Sequence, residues 1–390
     1  MGAGSLHVGG MEAVRSELDQ EACYRAVLTR DVRFDGRFFG GVTSTGIYCR
    51  PVCPARTPRR ENMIFYPTAA AAEEAGFRAC LRCRPETAPD MGAWRGTSNT
   101  VSRALSLIEA GALDEADVET LAGRLGVGER QLRRLFRQHL GAAPVSVAQT
   151  RRVLLAKALI HETDLTMAEV ALASGFGSVR RFNETFQSLY GRPPSALRRR
   201  KERVGDGGVR LSLPYRPPYD WDAMLAALAA RGDAIEGRMW SRMLDSALDG
   251  AVGRVCVTPE RTGQVEARVQ VRVETSDLRV LPAVLARVRR VFDLSADPHA
   301  IARDLSVDAA LKDSVRARPG LRLPGDWIDT GAEPPNDRLP ETFDPRLVGR
   351  ADLWRPWRAY GALHLLTAGV EGANPREGYD GRQDDDARAA

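Results

Sequence analysis

Thr45-Gly46-Ile47-Tyr48-Cys49-Arg50-Pro51-Val52-Cys53-Pro54-Ala55-Arg56, answered further on by Cys80-Leu81-Arg82-Cys83, is the stretch around which the rest of this chain can be ordered. Its spacing is C-x3-C, then 26 residues, then C-x2-C. Four thiolates bind Zn2+ tetrahedrally, and a closely spaced pair lets one turn supply two ligands with little loop-closure cost. In a reducing compartment such a cluster points to metal or catalysis rather than to disulfides. Spacing alone favours a structural zinc knuckle over a reactive site, with chance clustering of free cysteines the lesser alternative. The two other cysteines, Cys23 and Cys256, have no partner at metal spacing and are expected to be buried like small apolar residues.

Composition bounds the surroundings of this cluster. A chain of 390 residues has room for two to four domains. Apolar content of 43% and charged content of 27% are ordinary for globular protein. No apolar run approaches the roughly 20 residues of a membrane span, and Met1 to Gly10 lack the basic start and apolar centre of a signal peptide. A cytoplasmic protein with no membrane partner is expected, and Met11 is an alternative start. The net charge of +5 comes almost wholly from arginine, since lysine occurs only at 157, 201 and 312. An arginine and alanine bias can reflect genome composition, so charge alone does not decide for a polyanionic partner.

Four segments separate by composition. The cysteine cluster lies within 11–88, and Pro85 to Thr97 reads as a linker. Residues 100–198 read as consecutive amphipathic helices. The basic run Arg198-Arg199-Arg200-Lys201 leads into a second linker, Gly205 to Gly208. Val265, Ala267, Val269, Val271 and Val273 then alternate with polar residues, the period of a half-buried strand, and Leu281 to Phe292 has helical spacing. The end of the chain is rich in Pro, Asp and Gly, and its tail, with Asp384-Asp385-Asp386, is expected to be disordered.

The flanks of the cysteines narrow the alternatives. The opening stretch, with Glu61-Asn62, Phe65-Tyr66 and Ala75-Gly76-Phe77-Arg78-Ala79-Cys80-Leu81-Arg82-Cys83, resembles the amino-terminal domain of the Ada adaptive-response proteins over about residues 22–88. The resemblance implies one Zn2+ held by Cys49, Cys53, Cys80 and Cys83. It also makes Cys49 both ligand and nucleophile, taking the methyl group of a DNA methylphosphotriester once and irreversibly. A methylphosphotriester is locally neutral, so it can approach a site whose four thiolates around Zn2+ carry −2. Methylation lowers that charge to −1 and should tighten DNA binding. Thr45, Arg56 and Arg78 match positions that contact DNA in that family.

The helical segment contains two helix-turn-helix patterns about fifty residues apart, Val118 to Phe136 and Met167 to Phe186, with one long helix between them. With Phe186-Gln187-Ser188-Leu189-Tyr190-Gly191-Arg192-Pro193-Pro194-Ser195 the segment resembles the DNA-binding domain of AraC-type regulators. Each second helix is then expected in a major groove, one turn of duplex apart. The exposed candidates are Arg130, Arg133 and Arg134, then Arg180, Arg181 and Asn183, of which Arg130 and Arg180 are expected to be the most base-directed. Promoter DNA and RNA polymerase are the implied partners.

Leu211 to Trp221, the alternating strand, and Val291 to Pro298 resemble the amino-terminal lobe of AlkA-type 3-methyladenine DNA glycosylases, and Trp354-Arg355-Pro356-Trp357-Arg358-Ala359-Tyr360 resembles their last helix. Only the short stretch from Asp326 to Ala351 lies between. Those enzymes carry a helix-hairpin-helix and a catalytic aspartate there, and Leu323-Pro324-Gly325-Asp326-Trp327 lacks the second glycine and the Thr-Ala of that hairpin. A flipped base needs a deep pocket, so the glycosylase module is expected to be inactive and the Trp-Arg-Pro-Trp-Arg stretch to be a docking remnant.

The expectation is therefore a multidomain α+β chain. It comprises a small four-cysteine zinc domain (11–88), an all-α double helix-turn-helix domain (100–198), an α+β lobe (209–322), an incomplete glycosylase helical domain (323–368) and a disordered tail (369–390). The expected function is alkylation-responsive transcriptional activation through methyl transfer to Cys49. The rivals are an activator that is also an active glycosylase, and a regulator whose zinc is structural only.

Overall fold

The computed structural model describes residues 18–89, 99–198, 208–260, 267–328, 336–340 and 343–367. Both candidate starts, linker residues 90–97, Arg199 to Lys201, Gly205 to Gly207, Val265 and Glu266 of the alternating stretch, and the tail 369–390 lie outside the described residues.

The first body opens with α1 (Gln20–Thr29), whose first amides are capped by the Asp19 carboxylate. The strands β1 (Phe39–Val42) and β2 (Ile47–Cys49) form a hairpin. Its turn uses Gly46 at φ +64°, a conformation glycine adopts without steric cost. Then come β3 (Met63–Tyr66), α2 (Ala69–Glu74) and β4 (Arg78–Ala79). The sheet order is β3-β1-β2-β4, with β2 and β4 parallel. That parallel pair places Tyr48 opposite Ala79 and so brings Cys49 and Cys80 to the same end of the sheet. Cys23, Ala26 and Val27 of α1 pack with Phe38, Met63 and Phe65, while the alanines of α2 pack with Phe39, Tyr48 and Phe77.

Seven helices follow: α3 (Asn99–Glu109), α4 (Ala112–Glu115), α5 (Val118–Arg124), α6 (Glu129–Leu140), α7 (Pro144–Glu162), α8 (Met167–Ala173) and α9 (Val179–Tyr190). Local signals set their ends. Asp117 caps α5, Thr166 and Glu169 make a capping box on α8, and Ser178 caps α9. The first helix-turn-helix, α5 and α6, closes on its own core of Val101, Leu121, Leu132 and Phe136. The second, α8 and α9, does not.

Its core is shared with the next body, built from β5 (Val209–Pro214), α10 (Trp221–Ala230), β6 (Ala234–Glu236), β7 (Met239–Leu244), α11 (Ser246–Asp249), β8 (Gly253–Pro259), β9 (Arg268–Thr275) and α12 (Leu281–Val291). The strands form one antiparallel sheet in the order β5-β9-β8-β7-β6. One apolar cluster runs from Val153 and Leu159 of α7 and Phe182 and Phe186 of α9 into Leu211, Trp240, Val271 and Leu285. In β9, Val269, Val271 and Val273 point inward, as the period of two requires. The same period corrects one expectation. Cys23 is buried, but Cys256 is only half-buried, because it lies between the inward Val255 and Val257 and so faces the other side.

The helices α13 (Pro298–Leu305) and α14 (Ala309–Ala317) pack with α15 (Val348–Ala351) and α16 (Arg358–Thr367), not with the sheet. The indole N–H groups of Trp354 and Trp357 donate to Asp308 and Asp304 at 2.8 and 2.9 Å, and the Tyr360 hydroxyl donates to Asp293. Among the described residues no helix is long and apolar enough to cross a membrane.

Candidate metal centre and DNA-reading helices

The ladder of β2 and β4 runs one step beyond the strands, the Cys80 amide donating to the Tyr48 carbonyl at 3.0 Å. A tight turn after β2 returns Cys53, whose amide donates to the Arg50 carbonyl at 3.1 Å. As a result the sulfurs of Cys49, Cys53, Cys80 and Cys83 all lie within 4.8 Å of one another. Sulfurs bonded tetrahedrally to Zn2+ at about 2.3 Å stand roughly 3.8 Å apart, so the cluster suits one Zn2+.

The four sulfurs are not equivalent. Cys80 and Cys83 are buried, whereas Cys49 and Cys53 are half-exposed. The Arg50 amide donates to Cys83 Sγ at 3.4 Å and the Arg82 amide to Cys80 Sγ at 3.3 Å. The contact with Cys49 draws the Cys53 thiol down to about 7, and the Ala55 amide adds to that. Among the described residues no backbone amide is hydrogen-bonded to the Cys49 sulfur, in contrast to Cys80 and Cys83. An N–H donor stabilises a thiolate and, by lowering its basicity, lowers its nucleophilicity. Cys49 is thus the half-exposed sulfur left without that damping.

Arg50, between the first two ligands, is 4% exposed. Its Nε donates to Asp35 at 2.9 Å, Nη2 pairs with the same carboxylate, and Nη1 donates to the Cys83 carbonyl at 3.1 Å and to Thr87 Oγ1. It ties the two cysteine pairs together from below. Sequence reasoning did not single it out, because its partner Asp35 is recognisable only once the chain has folded. Thr45 and Arg56 are exposed and Arg78 is half-exposed, each within four residues of a ligand along the chain.

On α6, Arg130, Arg133 and Arg134 are exposed while Leu132 and Phe136 are fully buried. On α9, Arg180, Arg181 and Asn183 are exposed while Phe182 and Phe186 are fully buried. Arg133 pairs with Glu129 and Arg180 with Glu184, surface pairs that a phosphate can displace at little cost. A cleft of about 470 Å³ lined by Asp114, Glu129, Arg133, Gly175 and Arg181 separates the two units. Asp114 pairs with Arg151 and Arg152 of α7, and a side chain at Gly175 (φ +86°) would collide with that carboxylate.

Family models match three stretches of the chain. The metal-binding domain of Ada matches residues 22–86, a helix-turn-helix domain matches 121–200, and the AlkA N-terminal domain matches 210–328. The chain thus carries an Ada-type, a helix-turn-helix and an AlkA-type match, in that order. A probable bifunctional transcriptional activator/DNA repair enzyme AlkA of Mycobacterium tuberculosis is 40% identical over 317 residues, covering 78% of this chain and 62% of the relative. The bifunctional transcriptional activator/DNA repair enzyme Ada of Escherichia coli is 30% identical over 198 residues, covering 51% of this chain and 52% of the relative. The chain thus spans less than two thirds of the length of either. A crystal structure of a methylated N-Ada/DNA complex is 33% identical, covering 35% of this chain and 99% of that one, with a TM-score of 0.17.

The body matched by the Ada metal-binding model is held against α7 by residues that sequence reasoning also missed. Lys157 Nζ donates to Glu86 at 2.7 Å, with both side chains buried. Glu73 accepts from Tyr48 at 3.0 Å and from Thr150 at 2.6 Å. Arg84, next to Cys83, bridges Glu86 at 3.1 Å and Glu162 at 2.9 Å. One signal was present: Lys157 sits between Val153 and Ile160 on the apolar stripe of α7, where a lysine needs a partner.

Proposed function

We propose that this chain is a DNA-alkylation-responsive transcriptional regulator in which Cys49 accepts a methyl group from a DNA methylphosphotriester and thereby raises the affinity of the helix-turn-helix pair for promoter DNA. The observation that carries the reading is the inequality of the sulfurs. Cys49 is half-exposed and has no amide donor among the described residues, while Cys80 and Cys83 are buried and hydrogen-bonded.

Zn2+ held by Cys49, Cys53, Cys80 and Cys83 keeps the sulfurs deprotonated at neutral pH. The Cys49 sulfur attacks the methyl carbon in line with the bond to the ester oxygen. A carbon–sulfur bond forms, the carbon–oxygen bond breaks, and its electron pair stays on oxygen as the restored phosphodiester anion. The thioether is stable, and nothing in this step returns it to a free thiolate, so each molecule turns over once. Thr45, Arg56 and Arg78 position the backbone by contacts to neighbouring phosphates. The loss of one negative charge from the cluster reduces repulsion by the duplex and favours binding through α6 and α9. Promoter DNA and RNA polymerase are the partners this reading requires, in the cytoplasm.

The AlkA-type portion we infer to be inactive as a glycosylase. Beyond the match that ends at residue 328, the described residues build α15 and α16, which close onto α13 and α14 instead of forming a base pocket. Purified protein should release no 3-methyladenine from alkylated DNA, and release in proportion to protein would overturn this.

The central test uses zinc-loaded protein and DNA carrying labelled methylphosphotriesters. Label should appear on the peptide containing Cys49 and be absent from Cys49→Ser. Wild-type protein that binds zinc and takes up no label would leave the zinc structural only.

A further inference from the structure

The two helix-turn-helix units are joined to each other by α7, with a cleft between them. A single helix is a poor gauge of distance. Long helices curve readily, and a small bend in α7 would displace two reading helices meant to sit about 34 Å apart along a duplex.

The AlkA-type lobe supplies a second support, because it touches both units. Its α12 packs against α3, beside the first helix-turn-helix. The turn Leu278–Val280 packs against α8 of the second, Leu278 and Val280 joining the cluster that contains Val170, Ala171 and Ala173. Arg279, between them, is exposed and pairs with Asp277 at 2.8 Å, with Glu115 of α4 a more distant charge on the first unit. At the far end of α7, Glu162 accepts from the Ser212 amide of β5 at 2.9 Å. None of this covers the reading faces, since Arg130, Arg133, Arg134, Arg180, Arg181 and Asn183 all stay exposed.

We propose that the AlkA-type lobe serves as a brace that locks the two helix-turn-helix units at one separation, so that the chain selects paired DNA half-sites by their spacing. A module merely tethered for another purpose would keep its own closed core. Here the second unit has no separate core, and Phe182 and Phe186 of its reading helix pack in the same cluster as Leu211 and Val271 of the sheet. The proposal rests on the DNA-reading role of α6 and α9 proposed above, but not on methyl transfer.

The test is selection by the full chain from a random-sequence duplex library. Wild type should recover two half-sites at a single spacing. The double variant Leu278→Asp/Val280→Asp changes only the lobe side of the contact. It should recover the same half-site sequences with spacings spread over a base pair or more. Its affinity for the best wild-type sequence should fall roughly tenfold, the scale of one mismatched pair. A variant that keeps the single spacing would overturn the brace. If the double variant does not fold, Arg279→Glu decides: it places like charge opposite Glu115 from an exposed position, and it should spread the spacing less but in the same sense. Unchanged spacing there also overturns the proposal. Methyl uptake at Cys49 is measured on the same samples. Relaxed spacing without uptake removes the methyl-transfer reading alone, uptake with fixed spacing removes the brace alone, and a wild type that selects no paired half-sites removes both the DNA-reading premise and the brace.

Discussion

Two bodies lean on α7, and they do so with different balances of polar and apolar contact. The Ada-type body packs the alanines of α2 with Val147 and Leu154 of α7, and adds to this small apolar face a set of polar contacts: Glu86 against Lys157, Glu73 against Thr150, and Arg84 against Glu162. The AlkA-type lobe meets it largely through a continuous apolar core, with Val153, Leu159 and Ile160 packed in the same cluster as Val209 and Leu211. Apolar contact is non-directional and roughly proportional to area, and it tolerates changes of shape. A buried ion pair adds little net stability, because desolvation offsets its attraction, but it is exacting about geometry and severe when one partner is lost. The lobe is therefore attached by area, and the zinc-bearing body is held at a particular position and angle.

The largest effect expected from this contrast is on the polar side. Lys157→Ala leaves Glu86 buried with only Arg84 beside it, and denaturant unfolding should show a loss of about 3–5 kcal/mol. Replacing both partners, Lys157→Met with Glu86→Gln, should recover most of that. If the double change is as damaging as the single one, the pair is not what holds the two bodies together. On the apolar side, Leu211→Ala removes a side chain 3% exposed and should cost about 2–4 kcal/mol. No second-site charge change should rescue it, and hydrogen exchange should speed up in α8 and α9 as well as in the sheet. Loss of protection confined to the sheet would mean that the core is not truly shared.

The two sides should also respond to pH with opposite signs. Burial alone would raise Glu86, but the Lys157 charge beside it outweighs that and holds the carboxyl below its usual range. Its contribution is present above the unfolded carboxylate pKa and is lost as pH falls. Asp293, in the AlkA-type portion, is half-buried against the Tyr360 hydroxyl and near Arg322 and Tyr219, and desolvation pushes it up to about 6. The folded form then holds the proton more tightly than the unfolded chain, so stability is lost as pH rises from about 4 through 6. Asp293→Asn removes this dependence. From pH 4 to pH 7 its stability relative to wild type should improve by roughly 2–3 kcal/mol in urea titrations. A pH-independent difference would mean that Asp293 is not perturbed as its surroundings require.

Much of this was legible in the sequence, for reasons that differ from part to part. The zinc ligands could be read because two turns supply all four, so chain spacing nearly equals spatial spacing. The helix-turn-helix pair could be read because it occurs twice and its caps, Thr166-x-x-Glu169 above all, are local. Strand β9 could be read from its alternation, and the same rule applied to Val255-Cys256-Val257 would have turned Cys256 outward. The illegible part is how the bodies meet. Lys157 and Glu86 are 71 residues apart, and nothing local says that a lysine on an apolar stripe will find that carboxylate. Nor does local pattern say that α13 and α14 will leave the sheet for Trp354 and Trp357, since each element has an apolar face that several partners could cover.

The smallest expected effect asks whether the polar side is a network or a set of separate contacts. Tyr48 precedes Cys49, and its hydroxyl shares the Glu73 carboxylate with Thr150 of α7. Tyr48→Phe and Thr150→Val each remove one donor from that carboxylate, and each should cost about 1 kcal/mol. Independent contacts would make the double variant cost the sum. If the carboxylate is held by both donors at once, losing the first already loosens it, and the double variant should cost less than the sum by about 0.5 kcal/mol or more. Strict additivity would separate Cys49 from α7 mechanically and leave charge as the sole route by which the proposed methylation could reach α6 and α9.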